Sequence, residues 1–312
     1  MLGLKVNSSL IPGLRWDVLG AFSGLQAFKS KVSFPSRTLD DIVYPFWNFK
    51  YLKRSQNLYG SKASAALGSY YYKTLSNKIG IGFTPTRFSN LEVGYNVEWI
   101  NLHPSTGFGG YEDVNYHLYD VFAVLTIDAL DDFNLPHNGL YVLGELYYSN
   151  KKMGAHYDYL RFSIQAELYK TFGIHGFGIM GEYFESLGDE PFPRISQIFG
   201  GPSNFIGWEY GAGFFSKLHF IRLEYHLNFW DAFYLDLYGN TLFNYELSFF
   251  NPEIEKPSKI FFGTGVGLTY DSIVGPIRII WSWGDDSVIE PKEFVNRVFF
   301  TMGVRINDFI RF

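Results

Sequence analysis

The chain has 312 residues and a formal net charge of -5, so its charge provides no basic footprint for binding nucleic acid. Aromatic residues make up 20% of it and charged residues 18%, whereas a typical soluble domain is roughly 25% charged. A membrane barrel with aromatic belts at two lipid–water interfaces needs this many aromatic residues. A large soluble β-sandwich is also compatible with such an aromatic content. The chain has no cysteine, which excludes disulfides and Cys-based metal sites, and we expect neither a metal nor a cofactor.

No segment approaches the roughly 18 consecutive apolar residues of a transmembrane helix, so any membrane span has to consist of strands. The first residues read MLGLKVNSSL and lack the cationic start and apolar core of a secretory signal. We therefore expect residues 1–312 to be one barrel domain, from which an upstream periplasmic or passenger domain is missing.

The first third of the chain carries the weaker strand pattern. Strand-like runs occupy 2–10, 16–28, 44–53, 63–73 and 79–83. Pro12, Gly13 and the polar stretch 29–41 are interpreted as connections, and the Pro-containing stretch 84–90 as a tight turn. Four to six strands fit into this part of the chain.

From residue 91 onward the residues alternate with a clear period of two. Leu91, Val93, Tyr95, Val97 and Trp99 share one face of the first run, and Glu92, Gly94, Asn96 and Glu98 share the other. Ten such strands are predicted at 91–102, 115–128, 139–150, 157–171, 175–186, 214–229, 232–244, 260–271, 275–284 and 295–308. The whole chain then has roughly 14 to 16 strands, and sixteen is our expectation.

The length of these runs favours a membrane barrel over a soluble sandwich. A membrane strand needs roughly 9 to 11 residues, whereas strands in globular sheets most often have roughly 5 to 6. Tight connections at 171–175 and 230–232 also alternate with long ones at 186–213, 244–259 and 284–294. The prediction is an all-β, transmembrane antiparallel β-barrel whose apolar face meets lipid and whose polar face surrounds a wet lumen.

Three stretches together resemble the barrels of the BamA-type outer-membrane assembly and two-partner secretion superfamily. They are TIDALDDFNLPHNGLYV at 126–142, FGGPSNFIGW at 199–208 and GTGVGLTYDSIVGPIRIIWSWG at 263–284. They correspond to an Asp- and Pro-containing turn, an infolded loop and a glycine-rich late hairpin, in the order found in that superfamily. The resemblance implies a barrel in the cell outer membrane with a loop folded into it.

The implied infolded loop is IFGGPSNFIGWEYGAG, residues 198–213. Its candidate residues are the glycines that let it turn and the apolar side chains that it can bury, namely Gly200, Gly201, Phe205, Ile206, Gly207 and Trp208. Ile206 stands where the family carries an arginine that binds acidic residues on the inner wall. The matching acids are Glu224 and Asp236, which need water or another cation such as Arg222, Arg278 or Lys217, unless they only line a wet lumen.

The last residue is Phe312. In the alternation of the last predicted strand, it falls on the apolar face. The resemblance implies that this terminal aromatic is the sorting signal read by the barrel assembly machinery. The alternative is a chain that happens to end in Phe.

Catalytic motifs do not appear in the sequence: there is no Gly-x-Ser-x-Gly, no His-Glu-x-x-His and no phosphate-binding loop. We therefore expect no enzymatic activity in residues 1–312. Three functions stay open: a barrel that inserts or translocates client polypeptides, an anchor or export barrel for a patatin-like phospholipase, and a passive porin. The expected partners are outer-membrane lipids, a client or passenger polypeptide and the assembly machinery.

Overall fold

The computed structural model describes residues 2–7, 15–21, 25–34, 42–59, 66–106, 113–132, 134–189, 191, 197–247, 260–273, 275–285 and 293–303. The strands in this part of the chain are β1 Leu2–Asn7, β2 Arg15–Ala21, β3 Leu25–Ser33, β4 Val43–Tyr59, β5 Ala66–Thr86, β6 Ser89–Thr106, β7 Val114–Asp128, β8 Gly139–Ser149, β9 Tyr159–Phe172, β10 His175–Gly188, β11 Gln197–Phe199, β12 Gly213–Trp230, β13 Phe233–Leu247, β14 Ile260–Ser272, β15 Gly275–Asp285 and β16 Phe294–Met302. A single 3-10 turn spans Lys151–Met153. Within these ranges, no helix has the length and apolar character that a membrane crossing requires.

All sixteen strands belong to one antiparallel sheet. Each strand pairs with the next one in the chain, except that β10 pairs directly with β12 and the short β11 lies beside β12 off the main path. The all-β, antiparallel fold of about sixteen strands predicted from the sequence is confirmed.

Side chains along β9 and β12 alternate between a buried inner face, which carries carboxylates, and an exposed, apolar outer face. In β9, Glu167 is 2% exposed whereas its neighbour Leu168 is 51% exposed. In β12, Glu224 is buried and Leu223 is 57% exposed. Rows of large apolar side chains on the outside are favourable against hydrocarbon rather than water, so the sheet presents its apolar face to lipid, as predicted.

The sheet curls around an interior, because inward side chains of strands that are not neighbours meet. The Tyr159 hydroxyl on β9 donates to Asp120 Oδ2 on β7 at 2.8 Å, across β8. Lys31 on β3 likewise reaches Glu92 on β6. The fold is thus a barrel with a lumen, and within the described residues no ladder joins β1 to β16.

One end of the barrel carries the shortest connections. Only two residues separate β5 from β6, β9 from β10, β12 from β13 and β14 from β15 at this end, which also carries the longer connection between β7 and β8. The described loop 200–212 enters from the other end. Apolar side chains at these turns are strongly exposed, as at Ile174, Trp230 and Ile273. We call this the short-turn end, which faces the periplasm in outer-membrane barrels.

The first third of the chain differs from the prediction. The run 16–28 is two strands, β2 and β3, and β3 continues through Lys29 and Lys31, which had been assigned to a connection. The run 79–83 is the end of the long β5 rather than a separate strand. These bounds were predicted wrongly because lysines that point into the barrel give a strand the polar composition of a loop.

The lumen is also less wet than predicted. One cluster of buried side chains on the inner faces of β3–β9 includes Leu52, Tyr72, Leu118 and Tyr159, and Phe214 of β12 joins it. A second cluster surrounds the loop between β11 and β12. Inward apolar residues therefore fill the barrel at the level of this loop.

Candidate functional site: the infolded loop

The loop enters the lumen directly after β11. β11 pairs with the start of β12, and residues 200–212 form the excursion between these two strands. Gly200 and Gly201 have φ values of +124° and +97°, a backbone region that favours glycine. The Asn204 side-chain oxygen accepts hydrogen bonds from the Gly200 and Phe205 amides at 2.9 and 2.7 Å, which fixes the turn.

Phe205 and Trp208 anchor the loop by burial. Both rings are fully buried, with centroids 4.7 Å apart. The Trp208 ring stacks on Phe215 at 5.9 Å and meets the edge of Phe261 at 5.0 Å, and its indole N–H donates to the Asp285 carbonyl. Burying one large apolar side chain contributes about 1.5–3 kcal/mol, so this cluster is a main source of loop stability.

Ile206 is held through its main chain as well as its side chain. Asn240 on β13 accepts from the Ile206 amide at 2.8 Å and donates to the Ile206 carbonyl at 3.2 Å. The side chain packs with Tyr238, Ile280 and Phe299, which come from β13, β15 and β16. Ile206 is therefore an apolar contact with three strands.

The cation near this position comes from the wall. Arg222 on β12 donates to the carbonyl oxygens of Pro202 at 2.6 Å and Asn204 at 3.3 Å. Its Nε lies 2.8 Å from Glu224 Oε1, and its guanidinium lies over the Tyr238 ring at 4.8 Å. Arg222 thus connects the inner-wall acid Glu224 to the loop.

The two predicted inner-wall acids lie in one buried charge network. His226 approaches Asp236 Oδ1 with Nδ1 at 2.7 Å and Glu224 Oε2 with Nε2 at 3.1 Å. Both ring nitrogens can donate only when the imidazole carries both protons. With Arg222 and a protonated His226, the two carboxylates are balanced by two cations. Asp236 also accepts from the hydroxyls of Tyr238 and Thr269 and so belongs to the wall.

Contacts at the far side of the loop come from an early strand, β4, and from β16. Arg297 on β16 donates to the Gly207 carbonyl, and its Nε lies 3.3 Å from Glu209 Oε1. Gln56 on β4 donates to the Gly211 carbonyl at 3.2 Å. The loop therefore bridges early and late strands across the lumen.

The glycine-rich hairpin of β14 and β15 makes room for the loop. A Cβ atom at Gly263 would collide with the Ile206 carbonyl oxygen, and one at Gly284 would lie 2.9 Å from the Gly207 Cα. Gly207 itself has a φ of +110°. These glycines allow two backbones to approach closely, which larger residues would prevent.

The connection 129–138 crosses the short-turn end of the lumen beneath this network. Arg278 on β15 donates to the Asn134 carbonyl at 2.6 Å, and His137 Nε2 lies 3.1 Å from the Tyr234 hydroxyl on β13. Leu135 is buried. The connection therefore forms a floor under the β13–β15 side of the barrel.

Asp131 shapes this floor. Its carboxylate accepts hydrogen bonds from the amides of Asp132, His137 and Asn138 at 2.9, 2.9 and 3.0 Å. Burial alone would raise the pKa of Asp131, but the hydrogen bonds, with those from Asn138 and His137 the strongest, outweigh it and hold the pKa below its ordinary value.

The structure brings most of the predicted site residues together. The inward excursion contains Gly200, Gly201, Phe205, Ile206, Gly207 and Trp208. Glu224 is connected to the loop through Arg222, and Asp236 is connected to Glu224 through His226. Phe312 lies outside the described residues. Sequence analysis missed Gln56, Asn240 and Arg297, whose only sequence signal is a polar side chain on an inward position of a strand.

Comparison with known proteins agrees with this architecture. The model of the Omp85 superfamily domain matches residues 28–305. One similar solved structure is BamA from Haemophilus ducreyi lacking POTRA domains 1-3, with a TM-score of 0.70 and 13% identity over 92% of this chain. CdiB from Escherichia coli has a TM-score of 0.60 and 12% identity over 96% of this chain. CdiB from Acinetobacter baumannii has a TM-score of 0.56 and 8% identity over 95% of this chain. The chain spans 65%, 57% and 56% of those chains, respectively. A comparison with curated protein sequences gave no match. The family match covers most of the chain, which therefore belongs to the Omp85 superfamily of outer-membrane β-barrels.

Proposed function

We propose that this protein is an outer-membrane barrel that inserts or translocates client polypeptides. The observation that carries the proposal is the infolded loop, which wall side chains of β4, β12, β13 and β16 hold inside a lumen filled by apolar clusters. A barrel that serves solute diffusion has an open aqueous channel, and a fixed loop opposes that use. The role is one of transport rather than catalysis.

Within this proposal, the loop and the wall form a closed resting state. Client polypeptide and the surrounding lipids are the partners, and a client strand would add to the barrel through main-chain hydrogen bonds at a strand edge. Phe312 remains a proposed sorting signal for the assembly machinery. The anchor function for a patatin-like phospholipase requires a further domain and is not favoured by any contact described above.

The proposal is tested with the full-length protein in liposomes. We expect it to accelerate the membrane insertion or translocation of an unfolded outer-membrane client, measured by protease protection of the client, relative to liposomes containing an unrelated barrel. Equal rates in the two preparations would contradict the proposal.

A second measurement separates this function from a passive porin. Removing residues 200–211 should raise single-channel conductance in planar bilayers, because it removes the part of the chain that occupies the lumen. A large conductance in the unmodified protein, unchanged by the deletion, would instead identify a porin.

A further inference from the structure

The outer face of the barrel carries a polar row that crosses five neighbouring strands, β3 to β7. Each side chain of the row lies directly opposite the next one in the strand registers. The members are Gln26, Lys53, Lys73, Asn101 and Asn115. The adjacent residues Leu52, Tyr72 and Ile100 are buried inside the barrel, so the row itself faces outward.

This polar row lies at the edge of the apolar band, on the side away from the short turns. On β5, the outward residues between the short turn and Lys73 are Phe83, Ile81, Ile79, Asn77 and Leu75. Lys73 is ten residues from Phe83. With a rise of roughly 3.3 Å per residue and a tilt of roughly 40°, that distance is about 25 Å along the membrane normal, the height of the apolar band of an outer-membrane barrel. The row therefore reaches the headgroups of the outer leaflet.

A row rich in aromatic rings lies directly beneath the polar row. It consists of Phe28, Tyr51, Leu75, Trp99 and His117, again paired strand by strand. The Trp99 and His117 ring centroids are 6.1 Å apart. Aromatic girdles mark the two membrane–water interfaces of a barrel, so these rings independently place the polar row at the outer interface.

The two lysines of the polar row have no carboxylate partner among the described residues. Lys53 and Lys73 are cross-strand partners, and directly opposed like charges destabilise a sheet. Lys53 Nζ lies 5.8 Å from the centroid of the Tyr71 ring, and neither lysine forms a salt bridge within the described ranges. Asp113, one row further from the short turns, lies 2.6 Å from His103 Nδ1. An anion from outside the chain would relieve the repulsion between the two ammonium groups.

The same arrangement does not recur on the opposite side of the outer face. There, Lys217 on β12 lies 2.5 Å from Glu185 on β10, so its charge is already balanced. The uncompensated positive charge is therefore a local property of the β4–β5 pair.

The amides beside the lysines indicate the kind of anion. The Asn101 amide donates to the Asn115 side-chain oxygen, and Gln26 ends the row beside Lys53. Amide side chains both donate and accept hydrogen bonds, as sugar hydroxyls do, whereas lysines bind phosphate. We propose that the polar row binds a glycolipid of the outer leaflet whose headgroup is a phosphorylated sugar. Its phosphate lies between Lys53 and Lys73, and its hydroxyls lie against the amides of Gln26 and Asn101.

Lipids that differ in one group test this proposal on the unmodified protein. Lipid A, dephosphorylated lipid A and phosphatidylglycerol are titrated separately against the full-length protein in detergent, and the bound fraction is measured by native mass spectrometry. We expect lipid A to bind at least about tenfold more tightly than either of the other lipids. Equal binding of the dephosphorylated lipid would overturn the role of the phosphate, equal binding of phosphatidylglycerol would overturn that of the sugar, and no binding of lipid A would overturn both.

Substitutions then locate the site. Lys53→Gln and Lys73→Gln should each weaken lipid A binding about fivefold, and the double variant about thirtyfold, because each interfacial lysine contributes separately. Lys152→Gln is the matched control, since Lys152 is an exposed lysine in the connection between β8 and β9 at the same end of the barrel. It should leave binding unchanged. Equal affinity in the double variant and the control would contradict the site.

A stability measurement separates lipid binding from a structural role of the lysines. Removing one of two opposed charges should leave the free energy of unfolding in lipid-free detergent unchanged or raise it. A large decrease would show that the lysines serve the fold and would contradict the proposal. Heat-modifiable migration on gels verifies that each variant is a folded barrel, and the comparison of lipids requires no variant.

Discussion

Arg222 joins the loop to a buried carboxylate of the wall. It donates to two loop carbonyls and pairs with Glu224, so its removal leaves a buried carboxylate without its guanidinium. Breaking a buried pair by removing one partner costs about 3–5 kcal/mol. We expect Arg222→Met to lower the free energy of unfolding by about 3 kcal/mol, measured by urea titration in detergent micelles.

The control for this change is Arg87→Met, which removes an arginine from an exposed turn. Surface substitutions of this kind usually change stability by less than about 0.5 kcal/mol. Similar losses in both variants would show that Arg222 has no special role in holding the loop.

Sequence analysis named Arg222 as one of three candidate partners for the acids but could not choose among them. Arg278 instead reaches the connection 129–138, and Lys217 pairs with Glu185. Arg222 and Glu224 are two residues apart on the inner face of β12, so the period-two spacing of a strand was the signal that favoured this pair.

At the level of elements, the β14–β15 hairpin is shaped by its contact with the loop. A methyl group at Gly263 would occupy the position of the Ile206 carbonyl, so Gly263→Ala should force the loop away from the wall. Overpacking of this kind costs about 1–3 kcal/mol. We expect a corresponding decrease in the free energy of unfolding, measured in the same titration.

Gly239→Ala provides a matched control on the neighbouring strand, because a Cβ at Gly239 has no atom within 4 Å. Alanine is favoured over glycine in a strand by roughly 0.5–1 kcal/mol, so this variant should be unchanged or slightly more stable. Destabilisation at both positions would attribute the effect to strand flexibility rather than to the loop.

Strands were easier to predict than their connections. The alternation in 157–171 gave the two faces of β9 because the period of two is a local property. The continuation of β3 past residue 28 was missed because Lys29 and Lys31 resemble loop residues. The contact of Gln56 with Gly211 could not be predicted from the sequence. The two residues are distant in the chain and meet only because the sheet curls around the loop.

At the level of the whole molecule, the apolar face is directed outward. Leu223 lies near the middle of β12 and is 57% exposed, so a lysine there would face hydrocarbon. A lysine at the membrane centre costs about 2–4 kcal/mol, whereas one near the interface costs about 0–1 kcal/mol. We expect Leu223→Lys to lose about 3 kcal/mol of stability in lipid vesicles, measured by urea-dependent folding, and Ile273→Lys at a short turn to lose little. Small effects at both positions would indicate that the outer face meets water.

Besides the buried aromatic cluster, polar side chains of the wall hold the loop by its peptide oxygens. Arg222, Arg297, Asn240 and Gln56 all donate to carbonyls, which every type of amino acid possesses. Replacing a side chain in the loop leaves those acceptors in place, provided that the backbone keeps its path. The loop therefore keeps these contacts when its exposed side chains are replaced, so its outward surface can change in sequence while the loop stays docked.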